Sequence, residues 1–185
     1  MHAHNSYGMV RFYALAIKEK GFEKRSLPSG YSLEVWRPRL DGFNLKGLPF
    51  GRYAIWLLFD RFGLFSNSLA GVIMIKKAKR IVHRSLVTPK WYRFPDMSSS
   101  DLQIGDVWTS EDERGRGLAK FAINEIHRQW APSCITMWYL VSDSNLESIN
   151  LIESFSYNLI ALGKRTNPGK IHALGRFRIT NWLSG

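Results

Sequence analysis

The run Arg114-Gly115-Arg116-Gly117-Leu118-Ala119 carries the residue types best suited to holding an anion. Two glycines alternate with two arginines just ahead of a stretch with helical apolar spacing. The first turn of a helix has backbone N–H groups without intrahelical partners, and it carries the positive end of the helix macrodipole. Glycine removes the Cβ that would keep a ligand away from that backbone. Such a turn suits a phosphate or pyrophosphate. Two common nucleotide loops are excluded. A Walker A loop needs Gly-Lys-Ser/Thr after its spacer, which is absent. The dinucleotide fingerprint G-x-G-x-x-G/A fails because Lys120 stands where its third small residue belongs. The pattern that does fit is Arg-x-x-Gly-x-Ala, at Arg114, Gly117 and Ala119.

The elements that must position this loop can be read on either side of it. Leu102–Thr109 carries Ile104, Val107, Trp108 and Thr109, a β-favouring run. Residues 110–114 are polar and predict a loop. Leu118, Ala119, Ala122, Ile123, Ile126 and Trp130 then recur on one helical face, and Pro132 ends the helix. Further strands are predicted over 31–36, over 69–76 and 80–87 as a hairpin around Lys77-Ala78-Lys79, and over 134–141, 159–164 and 171–180. Residues 166–169 form the turn between the last two strands. Helices are predicted over 9–20, 52–65 and 145–158, with residues 142–144 as a turn and helix cap. Residues 89–100 form a loop rich in aromatics, with Trp91, Tyr92 and Phe94. The sum is an α+β fold, a mixed central sheet flanked by helices. It divides into an N-terminal extension and helix over 1–30 and a domain over 31–185.

Composition bounds the function. Hydrophobic residues at 45% and aromatics at 14% exclude a disordered chain, and 185 residues suffice for one sizeable core. Lys+Arg 26 against Asp+Glu 15 gives +11, which favours phosphate-bearing cofactors, nucleotide-linked substrates, nucleic acid or an acidic membrane surface. A polycationic substrate would be repelled. The single Cys134 permits no internal disulfide and fits a reducing cytoplasm. The histidines, His2, His4, His83, His127 and His172, show no zinc-ligand spacing beyond the terminal His2-x-His4 pair, so no metal is expected. The start of the chain has no signal-peptide pattern. The helix over 9–20, with Arg11, Lys18, Lys20, Lys24 and Arg25 near it, could pack on the domain or touch a membrane surface. The apolar stretch over 52–65 is too short and too charged, at Asp60 and Arg61, to span a bilayer.

The Arg114/Gly117/Ala119 pattern on a strand–loop–helix resembles the acyl-CoA pyrophosphate loop of the GNAT acetyltransferase superfamily. A second stretch, Asn145-x-x-Ser148-Ile149-x-x-Ile152-x-x-Phe155-Ser156-Tyr157, is similar to that family's Asn-x-x-Ser-Ile-x-x-Tyr-x-x-x-Gly-Phe signature, in the same order and at the usual distance. The similarity covers roughly residues 31–180. Two departures stand out: Ile152 replaces the tyrosine that protonates the departing thiolate, and Ser156-Tyr157 replaces Gly-Phe. The aromatic loop followed by DLQIGDVWT is also similar to GNAT proteins of bacterial surface-polysaccharide pathways.

The resemblance implies a GNAT-like sheet with a V-shaped splay between its central strands. It implies acetyl-CoA as co-substrate and direct attack by an acceptor amine. The pyrophosphate would lie on Arg114, Gly115, Arg116, Gly117, Leu118 and Ala119. The pantetheine arm would pair with the backbone of Trp108 and Thr109, near Asn145 and Ser148. Asp106 is the first candidate general base and His83 the second; Tyr139 is the candidate acid. The acceptor is a small anionic or nucleotide-linked amine, such as a nucleotide-linked amino sugar, or a tRNA-linked amine. A silent member that binds acyl-CoA or nucleic acid is the alternative, motivated by Ile152. A homodimer is left open.

Overall fold

In the computed structural model, which describes residues 8–17, 22, 24–166 and 175–183, eight strands form one sheet. The strands are β1 (Val10–Ala16), β2 (Tyr31–Trp36), β3 (Gly71–Lys77), β4 (Arg80–Pro89), β5 (Leu102–Thr109), β6 (Thr136–Ser142), β7 (Asn158–Thr166) and β8 (Arg176–Trp182). The helices are α1 (Pro38–Asp41), α2 (Phe50–Arg61), α3 (Leu118–Trp130) and α4 (Leu146–Glu153). The order across the sheet is β2-β3-β4-β5-β6-β1-β7-β8. Every pairing is antiparallel except β5 with β6.

Side-chain alternation along the strands makes the layers. On β3, Ile73 and Ile75 join the cluster that holds Leu118, Ile123, Ile126 and Trp130 of α3 and Ile149 and Ile152 of α4. Val72 and Met74 point the other way and pack with Tyr53 and Leu57 of α2. Thus α3 and α4 cover one face and α2 the other. A third cluster, with Phe12, Phe94, Met97, Trp138 and Ala161, fills the rest of the α2 face.

The helix expected over 9–20 is instead β1, for its described part; Lys18 and Lys20 lie outside the described residues. Val10, Tyr13, Ala14 and Ile17 fit a helical face, but Phe12 and Leu15, which lie off that face, are buried along with Val10, Tyr13 and Ile17. β6 and β7 each hydrogen-bond to one edge of this segment, and that tertiary pairing overrides its weak helical propensity. The segment ahead of Tyr31 therefore supplies an internal strand. Other boundaries move by a few residues. The helix expected over 145–158 ends at Glu153, and its cap is Asn145, whose Oδ1 accepts from the Ser148 N–H at 3.1 Å, not the 142–144 turn. The strand expected over 171–180 appears as Arg176–Trp182; residues 167–174, with most of the expected 166–169 turn, lie outside the described residues.

The centre of the sheet opens. β5 and β6 pair only through Leu102↔Met137, Gln103↔Trp138 and Ile104↔Tyr139, yet β5 continues to Thr109 and β6 to Ser142. On its other edge β5 carries one extra residue against β4, since Arg84 pairs with Trp108 and Leu86 with Gly105. That bulge puts Asp106 in the left-handed region, at φ 45°. Bulges bend a strand and increase its twist, and aspartate is among the non-glycine residues that tolerate this conformation. The pairing with β6 ends where the bulge begins.

Candidate active site

The splay becomes a cleft of about 630 Å³, lined by Val107, Trp108 and Thr109 of β5, by Glu113, Arg114, Gly115 and Gly117 of the loop, and by the starts of α3 and α4. Gly115 and Gly117 have φ values of 76° and 75°, so both positions favour glycine, and a Cβ at either would meet open space. Gly117 precedes α3 and offers no capping side chain. The first helical bond runs from Phe121 N–H to the Gly117 carbonyl at 2.9 Å, which leaves the N–H groups of Leu118, Ala119 and Lys120 without intrahelical partners at the cleft.

The cations of the loop divide into two kinds. Arg116 Nε is 3.0 Å from Glu113, whose buried carboxylate also takes Lys77 at 2.7 Å and the Tyr31 hydroxyl. The hydrogen bond from Lys77, then that from Tyr31, hold the Glu113 carboxyl below the usual glutamate range. Arg116 is thus a strut that ties the loop to Glu113. Arg114 and Lys120 line the cleft itself. Lys120 entered the sequence reading only as the residue that breaks a dinucleotide fingerprint. Its position in the first turn of α3 is what brings it to the cleft.

The orientation of β5 follows from its bonds to β4. Ser110 N–H donates to the Val82 carbonyl at 2.9 Å. With a period of two, the Trp108 N–H also turns to β4, whereas the N–H and carbonyl groups of Val107 and Thr109 turn to the open edge. Asn145 and Ser148 line the opposite wall. Asn145 uses its carbonyl oxygen as the α4 cap, which leaves its amide NH2 available to a ligand. The Ser148 side chain lies beside the Tyr139 phenol, which is raised by burial, with Ser148 acting the other way. Tyr139 itself is buried, at the last β5–β6 pair before the opening.

Asp106 lies on the α2 face. It accepts from Arg84 Nε at 3.0 Å and from the Tyr53 hydroxyl, and Arg52 of α2 is 3.5 Å away. The guanidinium of Arg84 also stacks 4.5 Å from the Trp108 ring centroid. Burial first, then the bond to Asp106, push the Tyr53 phenol well up. His83 lies on the other face. It is fully buried, with Nδ1 2.8 Å from Thr109 Oγ1 and Nε2 2.9 Å from Ser85 Oγ. Burial, reinforced by Arg84, lowers its pKa to about 3. The structure therefore gathers the loop, Thr109, Asn145 and Ser148 around one cleft, with Tyr139 behind its wall. Asp106 and His83 sit on opposite faces of the sheet.

The model of the acetyltransferase (GNAT) family matches residues 34–157. The chain belongs to the GNAT family. No curated protein matches it by sequence. Among solved structures, a tandem GNAT protein from the clavulanic acid biosynthesis pathway aligns at TM-score 0.59 and 11% identity, over 84% of this chain and 51% of that one. A GCN5-related N-acetyltransferase from Sphaerobacter thermophilus aligns at 0.59 and 15%, over 84% and 50%. A putative GNAT acetyltransferase from Novosphingobium aromaticivorans aligns at 0.52 and 14%, over 88% and 67%. At these identities the likeness is one of fold, and this chain spans about half the length of the first two.

Within this GNAT fold the sequence signature of α4 lacks its tyrosine for a physical reason. Ile152 is fully buried against Tyr139, Tyr157 and the apolar face of α3. Tyr157, where the family pattern has phenylalanine, is also buried, and its hydroxyl is 2.8 Å from His127 Nε2. Neither position faces the cleft. Among the described residues no three His, Cys, Asp or Glu side chains cluster as metal ligands, and no helix is long and apolar enough to cross a membrane.

Proposed function

We propose that the cleft between β5 and β6 holds acetyl-CoA and that the protein transfers the acetyl group directly to an acceptor amine. The observation that carries this reading is the uncapped N-terminus of α3 at the mouth of a splay between two parallel strands. Leu118, Ala119 and Lys120 offer N–H groups, and Arg114 and Lys120 offer charge, for a pyrophosphate. The unpaired edge of β5 at Val107 and Thr109 takes the pantetheine amides as an added strand would, and the Asn145 amide meets them from the other wall. An N–H on that edge stabilises the thioester oxygen as negative charge develops there.

In this reading Tyr139 and Ser148 take over the role left empty by Ile152. Ser148 reaches the cleft and Tyr139 stands behind it, so a proton passes from the phenol through the serine hydroxyl to the departing thiolate. Asp106 accepts the amine proton through a water, with Tyr53 and Arg84 fixing its carboxylate. Neutral, buried His83 supports Thr109 and does not exchange protons with substrate. Arg52, Arg84 and the exposed Tyr92, which lies under Arg176 at 4.5 Å, favour an acceptor that carries phosphate and a base or sugar ring. Trp91 is committed to Trp56, Phe59 and Phe94 and is not free to stack.

Calorimetric titration with acetyl-CoA, beside Gly117→Glu, tests the cofactor site. Glutamate there meets both the φ of 75° and the expected phosphates. We expect binding in the wild type and a loss of more than about a hundredfold in the variant. Failure of the wild type to bind acetyl-CoA or CoA removes the reading. Binding without turnover on a panel of amines supports the silent binding protein that Ile152 motivates.

A further inference from the structure

The outer side of α1 and α2 gathers most of the large apolar side chains exposed among the described residues. Seven of the twelve large apolar side chains exposed among the described residues lie between Leu40 and Leu64. Leu40, Phe43 and Phe62 are 80%, 69% and 71% exposed, and Phe50, Leu58 and Leu64 accompany them. A groove of about 660 Å³ between the two helices is walled by Pro38, Phe43, Leu57, Leu58 and Phe62. α2 is thus apolar on both sides: Tyr53 and Leu57 face the sheet while Phe50 and Leu58 face out. A helix that is hydrophobic all round is one that gets buried on all sides.

The charge around this face says what buries it. Arg39 and Arg61 line the groove with one carboxylate, Asp60, whereas Lys46 is paired with Asp41, Arg52 with Asp106, and Arg37 stacks on Trp130. A second copy of the chain, packed isologously, would bury Arg39 and Arg61 of each copy with only Asp60 in the groove to pair with them. A nucleic acid would satisfy the arginines and stack on phenylalanine, but it would lay its phosphates on Leu40, Leu58 and Leu64. A bilayer with anionic headgroups takes both parts, since apolar side chains enter the acyl boundary and arginines stay at headgroup level.

We infer that the α1–α2 face docks on an anionic phospholipid bilayer. The residues that do so are not Val10–Ala16, which are committed to the sheet as β1. The contact is peripheral, and it lies on the face opposite α3 and α4.

The test is sedimentation of the whole chain with vesicles. Phosphatidylcholine containing about a third phosphatidylglycerol is compared with phosphatidylcholine alone, for wild type, Phe43→Ser/Phe62→Ser and Arg39→Ser/Arg61→Ser. We expect wild type on anionic vesicles, at least about tenfold less on neutral ones, and weakening when salt is raised. The phenylalanine pair should lose more than about tenfold. The arginine pair should lose about twenty-five-fold, from about fivefold per charge. Both variants change exposed side chains, so an unchanged urea midpoint confirms that they are folded. No sedimentation of the wild type, or equal sedimentation of the folded variants, overturns the inference. So does a wild-type dimer that ignores vesicles and dissociates in the phenylalanine variant, which would make the face a self-interface.

Discussion

Replacing His83 by glutamine removes one proton site from the interior, and its effect on stability has a sign and a size. The unfolded chain binds that proton near pH 6.5, whereas the folded protein, with burial and Arg84 acting against the charge, binds it only near pH 3. Between those values the unfolded state holds more protons. The stability associated with neutral His83 is therefore fully present above pH 6.5 and is lost as pH falls toward 3. At pH 4.5 the loss is about 3 kcal/mol, from about 1.4 kcal/mol for each unit of pH below the unfolded value. Urea unfolding at pH 7 and at pH 4.5 reads it as a midpoint change of roughly 1–3 M, since slopes run about 1–3 kcal/mol/M. Asp41, Glu113 and Glu125, all held below their usual range by hydrogen bonds and ion pairs, also weaken the fold in acid. They do so in both proteins, so the difference between the two pH-dependent losses isolates His83. We expect His83→Gln to be less stable at neutral pH, because its hydrogen bonds are imperfectly replaced, but to lose about 3 kcal/mol less on acidification. Equal acid losses in the two proteins would refute the reasoning. The acid limb of kcat/KM should be unchanged in His83→Gln; its disappearance would make His83 the base after all.

Asp106→Asn should lower kcat/KM by about a hundredfold, as expected for loss of a general base; a normal rate with lowered stability would reduce Asp106 to an anchor for Arg84 and Tyr53. Tyr139→Phe should lower kcat by about tenfold or more with the KM for acetyl-CoA unchanged, measured by steady-state release of CoA. An unchanged kcat would mean that the thiolate takes its proton elsewhere. Gly163→Ala should cost more than about 3 kcal/mol in urea unfolding, because its Cβ would lie 2.2 Å from the Arg178 carbonyl oxygen and 2.7 Å from the Phe12 ring. A mild effect there would mean that β7 and β8 separate more easily than their pairing indicates.

The loop and its two flanking elements were legible because local signals agreed: a β-favouring run, paired glycines and a helical apolar stripe occupy adjacent stretches of chain. Asp106 could be placed on the strand but not in its ion pairs, since Arg52, Tyr53 and Arg84 come from two distant elements. The bulge that turns it was not legible either, because Gly105 and Asp106 give no period of their own. Arg114 and Arg116 look equivalent in sequence, and only the arrival of Glu113 beside Lys77 and Tyr31 separates them. The misread segment over 9–20 shows the limit most clearly. Its apolar residues satisfy a helical spacing and an alternating one, and the choice is made by β6 and β7, which lie more than a hundred residues away.

That same strand has a consequence for how the protein comes to exist. β1 ends at Ala16, while its two neighbours are β6, which starts at Thr136, and β7, which starts at Asn158. On a ribosome adding about 5–20 residues each second, β1 waits roughly 6–24 s for its first partner, with Val10, Phe12, Tyr13 and Leu15 still unburied. β2 to β5 can pair with one another in the meantime, because each follows its neighbour in sequence. One arm of the sheet is thus available to form during synthesis, and the other closes around β1 only after β6 and β7 have been made. The cleft lies on the seam between the two arms, so the binding site is assembled only once β6 has joined β5.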